Sequence, residues 1–282
     1  MIRKLLYTTL FLVLYFNAQA QLKELPNQFF RHLYNMELSK SEKFIVNHMI
    51  NTNDTISNNF LKINLVWWKT LLQGKSKKLN TQFYNLTNQS LKYLGNKKQK
   101  DEYDRFLELS FIGFKFRFDA INNKYISSGK TFVSYRSKLK KTLNNKKNKK
   151  SVLLKGLYNT CMSYARESSF LYKTLFLFMP SSYKNKGIKQ LLKATESEDI
   201  VLSTESNYFL YKIYNELYVN KTKAIFYLER LINKYPNNII FKIEKYKHFD
   251  YKTLKNLVKL KDDIKRKEEL NTKQKQFLYS LL

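Results

Sequence analysis

Glycine and proline are too scarce here for a fold built on turns. The 282 residues hold six Gly and three Pro. Sandwiches and Rossmann-type sheets reverse direction often and need glycine where the backbone turns left-handed. Long stretches without breakers favour helices. The expectation is an all-α chain.

Apolar spacing agrees. Ile56, Phe60, Ile63, Trp67 and Leu71 make one stripe. Leu61, Leu65, Trp68 and Leu72 make a second beside it, as in a helix sandwiched between neighbours. Gly74 is placed to end that helix. Ser39 with Glu42 three residues on reads as a capping box for the helix that follows. Tyr103, Leu107, Ser110, Phe114, Phe118 and Ile121 trace one face of a long helix over about 99–122. Leu153, Leu157, Tyr164 and Phe170 mark another over 152–178.

The first twenty residues read as a cleaved export signal. Arg3 and Lys4 supply a positive start, residues 5–16 carry no charge, and Ala18 and Ala20 make a small-x-small site before Gln21. A membrane span would need about 20 apolar residues, and a core helix would carry a polar face. No Cys follows the apolar run, so the lipoprotein route is closed. The expectation is a signal peptide over 1–20 and one helical domain over 21–282, in the periplasm or secreted.

The chain is strongly basic, with 52 Lys+Arg against 22 Asp+Glu and a net charge of +30. Lys138, Lys140, Lys141, Lys146, Lys147, Lys149 and Lys150 occur in one acid-free run. Residues 141–150 read as a solvated loop, or as a contact for anionic lipid or acidic polysaccharide. Lys far outnumbers Arg, and Asn, Ile, Tyr and Phe abound, a pattern AT-rich codons also produce. Export argues against a nucleic-acid partner.

Catalytic constellations are missing. No phosphate-binding glycine loop, nucleophile elbow, H-E-x-x-H or cysteine cluster occurs. Neither a metal site nor a cofactor site is expected. The lone Cys161 reads as a buried small hydrophobe, since nothing pairs it with His32, His48 or His248. Acidic neighbours such as Glu198-Asp199, Asp262-Asp263 and Glu268-Glu269 read as solvated faces.

The most informative stretch is 206–238. Tyr208, Tyr211, Tyr214 and Leu217 form one helical face; Val219-Asn220-Lys221 turns; Ala224, Leu228, Leu231 and Tyr235 form the facing stripe, which Pro236 ends. Small Ala224 and Pro236 twelve residues on, with Tyr208 and Leu228, resemble a tetratricopeptide repeat. Leu231 and Lys212 depart from that pattern, where smaller residues are usual. With Trp67-Trp68 before Gly74, the chain looks like a group of exported tetratricopeptide-like proteins of Gram-negative bacteria. The resemblance implies stacked antiparallel hairpins in a superhelical solenoid that binds a protein or peptide in the cell envelope, without catalytic residues. Its packing positions are Tyr208, Tyr211, Ala224, Leu228 and Pro236. A basic binder of anionic surfaces and an enzyme of unknown type are the alternatives.

Overall fold

The computed structural model describes residues 26–124, 135, 152–168, 183–249 and 251–282. Among these residues there are twelve α-helices, one π-helical turn and no strand. The export signal with Ala18, Ala20 and Gln21, and the lysines of 138–150, lie outside the described residues. The helices sort into two compact units, one taking the described residues of Thr87–Leu210, the other Pro26–Leu86 and Tyr211–Leu282. The sequence marks neither boundary, for both fall inside helices.

The second unit begins with α1 (Asn27–Tyr34), α2 (Leu38–Asn51) and α3 (Thr55–Gln73), and receives the first part of α4 (Lys77–Asn96). The link between α1 and α2 is a Schellman turn. Glu37 N–H donates to His32 O at 2.9 Å and Met36 N–H to Leu33 O at 3.1 Å. Met36 adopts φ 60°, where Gly is usual, with its side chain fully buried. Glu37, not Ser39, precedes α2; Ser39 instead donates its backbone N–H (2.9 Å) and hydroxyl (2.8 Å) to Glu269. The capping-box expectation fails because a distant carboxylate takes both donors. Asp54 caps α3 through Ser57 N–H at 3.0 Å. Both predicted stripes of α3 are buried, apart from half-buried Leu71. Gly74 ends α3 at φ 70°, and a Cβ there would lie 2.6 Å from the Phe277 ring.

From residue 211 this unit continues through a π-helical turn (Ile213–Leu217), α9 (Lys221–Lys234), α10 (Ile239–His248), α11 (Leu254–Arg266) and α12 (Thr272–Ser280). Neighbours pack in order, α9 on α10, α10 on α11 and α11 on α12. Helix α12 then packs on α3. An aromatic core joins the two stretches: Tyr34 lies 5.8 Å from Trp68 and 5.2 Å from Tyr235, and Trp68 lies 6.0 Å from Phe241. Buried Asn238 fastens it. Its Oδ1 accepts from Ile240 N–H and Phe241 N–H, capping α10, while its Nδ2 donates to Tyr34 O at 2.7 Å.

The first unit holds α5 (Glu102–Ile121), α6 (Val152–Ser168), α7 (Lys184–Thr195) and most of α8 (Ile200–Lys212). Helices α6 and α7 touch backbone to backbone. A Cβ on Gly187 would lie 2.5 Å from Thr160 N, and one on Gly156 2.8 Å from Leu191 Cγ. Helix α5 buries charge as well as aromatics. Asp104, Glu108, Arg117 and Asp119 are all buried, beside Glu205 of α8. Arg117 meets Glu205 at 3.7 Å and lies over the Phe209 ring; Lys97 and Lys100 reach Asp104 (2.6 Å) and Glu108 (3.1 Å). Cys161 falls on α6.

Candidate functional site

Two features of the second unit combine unusual geometry with chemistry. The first is a trough of about 390 Å³ between α1 and α2. From α1 come Gln28 and His32, one turn apart. From α2 come Lys40, Lys43, Phe44, Asn47, His48 and Asn51, at steps of three and four that place all six on one face. The Schellman turn sets the two helices side by side, so neither face fills the other.

Two of the chain's three histidines line the trough. His32 Nδ1 lies 2.5 Å from Glu37 Oε2, and Lys40 lies 3.3 Å from the same oxygen. Burial pushes the Glu37 carboxyl up, but the hydrogen bonds and charges of His32 and Lys40 outweigh it and hold it below the ordinary value. His48 Nδ1 meets Asn58 Oδ1 at 2.7 Å, and its ring stacks on Phe44 at 6.0 Å. Both imidazoles are therefore oriented by partners, and the trough offers amides, an aromatic face and two lysines. No serine, threonine or cysteine lines it. On another face α2 turns Val46, Met49 and Ile50 outward, 57, 43 and 77 % exposed. Three apolar side chains at i, i+3 and i+4 would normally face a core.

The second feature is an ionic cluster at the π-helical turn. Tyr218 N–H donates to Ile213 O at 3.0 Å, the widened spacing of that turn, and Asn220 then caps α9 through Lys223 N–H. Val219 between them sits at φ 47°, a strained value for a β-branched residue. Glu244 of α10 accepts from the Tyr211 hydroxyl at 2.5 Å and from Lys212 at 2.6 Å; Lys212 also pairs with Glu216 at 3.2 Å, and His248 stands 3.8 Å from Glu244. Burial raises the Glu244 pKa, yet the Lys212 charge and the hydrogen bonds from Lys212 and Tyr211 bring it below its ordinary value. His248 is held below its ordinary value, chiefly by burial. The cluster ties Tyr211 and Lys212 to Glu244 of α10, 33 and 32 residues on. Lys212, a departure from the repeat pattern, supplies the ion pair.

Of the other repeat positions, Tyr211, Ala224 and Leu228 are fully buried, Tyr208 is half-buried, and exposed Pro236 follows the end of α9. The stacked pair Tyr214–Tyr227, 5.8 Å apart and 6° from parallel, seats the π-helical turn on α9. The structure does not bring Trp67 or Trp68 to a groove; both are core. Asp263 is engaged by Lys242 at 2.7 Å and Glu269 by Ser39, so these two acids are not simply solvated. Sequence reasoning missed the trough. Its signal was present in the run of polar residues 40, 43, 47 and 51, on a helix read for its core face alone.

Among the described residues no group of His, Cys, Asp and Glu is placed to hold a metal ion, and no helix is long and apolar enough to cross a membrane. No protein-family model, curated protein or solved structure matches the chain.

Proposed function

We propose that this chain is an exported helical scaffold of the tetratricopeptide type that holds a protein partner in the cell envelope on the outer face of α2. The observation that carries this reading is the exposed Val46, Met49 and Ile50 stripe of α2. A monomer that needed α2 only for its core would place polar residues there. The fitting partner is an amphipathic helix, its apolar residues on the stripe and its acids facing Lys40 and Lys43. The buried Ala224 and Leu228, the proline after α9, and the packing of α9 on the π-helical turn and on α10 support a repeat-type hairpin within the second unit. The role is one of binding without catalysis.

The test is photo-crosslinking in cells from a reactive group at Met49, with exposed Thr222 of α9 as the control position. A discrete adduct in the envelope fraction from position 49, absent from 222 and lost when Val46 and Ile50 are changed to Lys, supports the reading. Equal labelling at both positions, or none at 49, refutes it. An alkaline phosphatase fusion after Gln21 that is inactive in intact cells refutes the export part.

A further inference from the structure

A different face of the same unit leaves apolar side chains uncovered. Helix α11 packs on α10 and α12 through one side only, where Leu260 and Ile264 are buried. Further round the helix Leu254 and Val258 stand in solvent, 78 and 51 % exposed, one turn apart. Winding at 100° per residue puts Lys265 in line with that pair further along the helix, Lys261 on one flank, and Lys255 and Lys259 on the other, beyond Asp262. All four lysines are exposed, and none has an ion-pair partner among the described residues. Asp262 is the one acid on this face, because Asp263 is turned to Lys242 at 2.7 Å. The bared residues are neither core nor neutralised surface.

We propose that this face of α11 docks on an anionic phospholipid surface, with Leu254 and Val258 entering the headgroup region and the four lysines pairing with lipid phosphates around them. Charge complementarity and arrangement both favour this occupant. An apolar centre with lysines around it is the pattern of a helix lying in a membrane interface, where long lysine stems cover apolar surface while the ammonium groups reach the phosphates. Thr253 caps the helix by accepting from Asn256 N–H, and the core holds its inner side, so the face is presented already formed. This surface is independent of the α2 reading.

The experiment is co-sedimentation of the full chain with vesicles of phosphatidylglycerol and phosphatidylcholine, and with phosphatidylcholine alone, at 0.1 and 0.5 M NaCl. The chain should bind the anionic vesicles at low salt, release at high salt and ignore the neutral ones. Leu254→Gln with Val258→Gln should weaken binding about tenfold, as expected for two partly buried aliphatic side chains. Changing Lys255, Lys259, Lys261 and Lys265 to Gln should weaken it roughly fivefold per residue. All six side chains are exposed, and an unchanged circular dichroism spectrum shows that each variant folds. The proposal is overturned if binding survives both sets of substitutions, if the loss follows only the lysines of 138–150 changed to Gln, or if neutral vesicles bind equally. It is also overturned if the chain ignores vesicles yet binds polyglutamate through these four lysines, which would assign the face to an acidic protein.

Discussion

Replacing Asn238 by Ala should destabilise the second unit by about 2–4 kcal/mol. Asn238 is fully buried and makes three hydrogen bonds. Two cap α10, and losing a cap of this kind costs about 1 kcal/mol. The third is the bond from Nδ2 to Tyr34 O, and removing the donor of a buried bond costs about 1–3 kcal/mol more. The assay follows from the sequence: the chain has two tryptophans, Trp67 and Trp68, both buried in this unit. Tryptophan fluorescence in urea therefore follows this unit alone, whatever the other does. Asp at the same position separates the two contributions. At an ordinary cap Asp serves as well as Asn, but here it would set an acceptor against the Tyr34 carbonyl, so Asn238→Asp should do at least as much damage as Asn238→Ala. A loss under about 0.5 kcal/mol for the Ala variant, or a near-native Asp variant, would refute the idea that this side chain fastens residues 26–86 to residues 211–282.

Gly187→Ala should cost about 3 kcal/mol, since the added Cβ meets Thr160 backbone, which cannot swing aside; hydrogen exchange should show α6 and α7 losing protection together, and retained protection would contradict the close crossing. Val219→Gly should raise the stability of the second unit by about 1 kcal/mol in urea titrations, by relieving a left-handed valine that buries nothing. For Glu244 the folded pKa is lowered, so its contribution is present above the unfolded value near 4.5 and is lost as pH falls through the folded one. His248, also lowered, acts in the same direction below about pH 6.5, because the unfolded chain binds its proton more readily. The fluorescence-detected urea midpoint should therefore fall on acidification, and Glu244→Gln should lower it at pH 7 and flatten the acid limb; an unaltered pH profile in that variant would remove Glu244 from the account.

How much was legible depended on whether a residue's role is local. The two stripes of α3, the turn at Asn220 and the end of α9 before Pro236 could be read directly, because spacing, capping and a missing N–H act within a few residues. Ser39 misled because its hydrogen bonds go to Glu269, 230 residues on, and nothing near Ser39 announces that. Asp104, Glu108, Arg117 and Asp119 stand on an aromatic helix with no local sign of their partners. They are buried, with partners that include Lys97, Lys100 and the distant Glu205. The trough was illegible for the same reason, since a cavity is a relation between two helices and only the turn at Met36 decides which faces meet.

By itself the sequence determined the all-helical class, through the scarcity of glycine and proline, and most helix ends, through local hydrogen bonding and backbone sterics. Tertiary structure alone decided that α12 returns to α3, that Lys212 finds Glu244, and that the apolar side chains of α2 and α11 remain in solvent. Helical periodicity records which residues share a face, but what that face meets depends on chain closure over hundreds of residues.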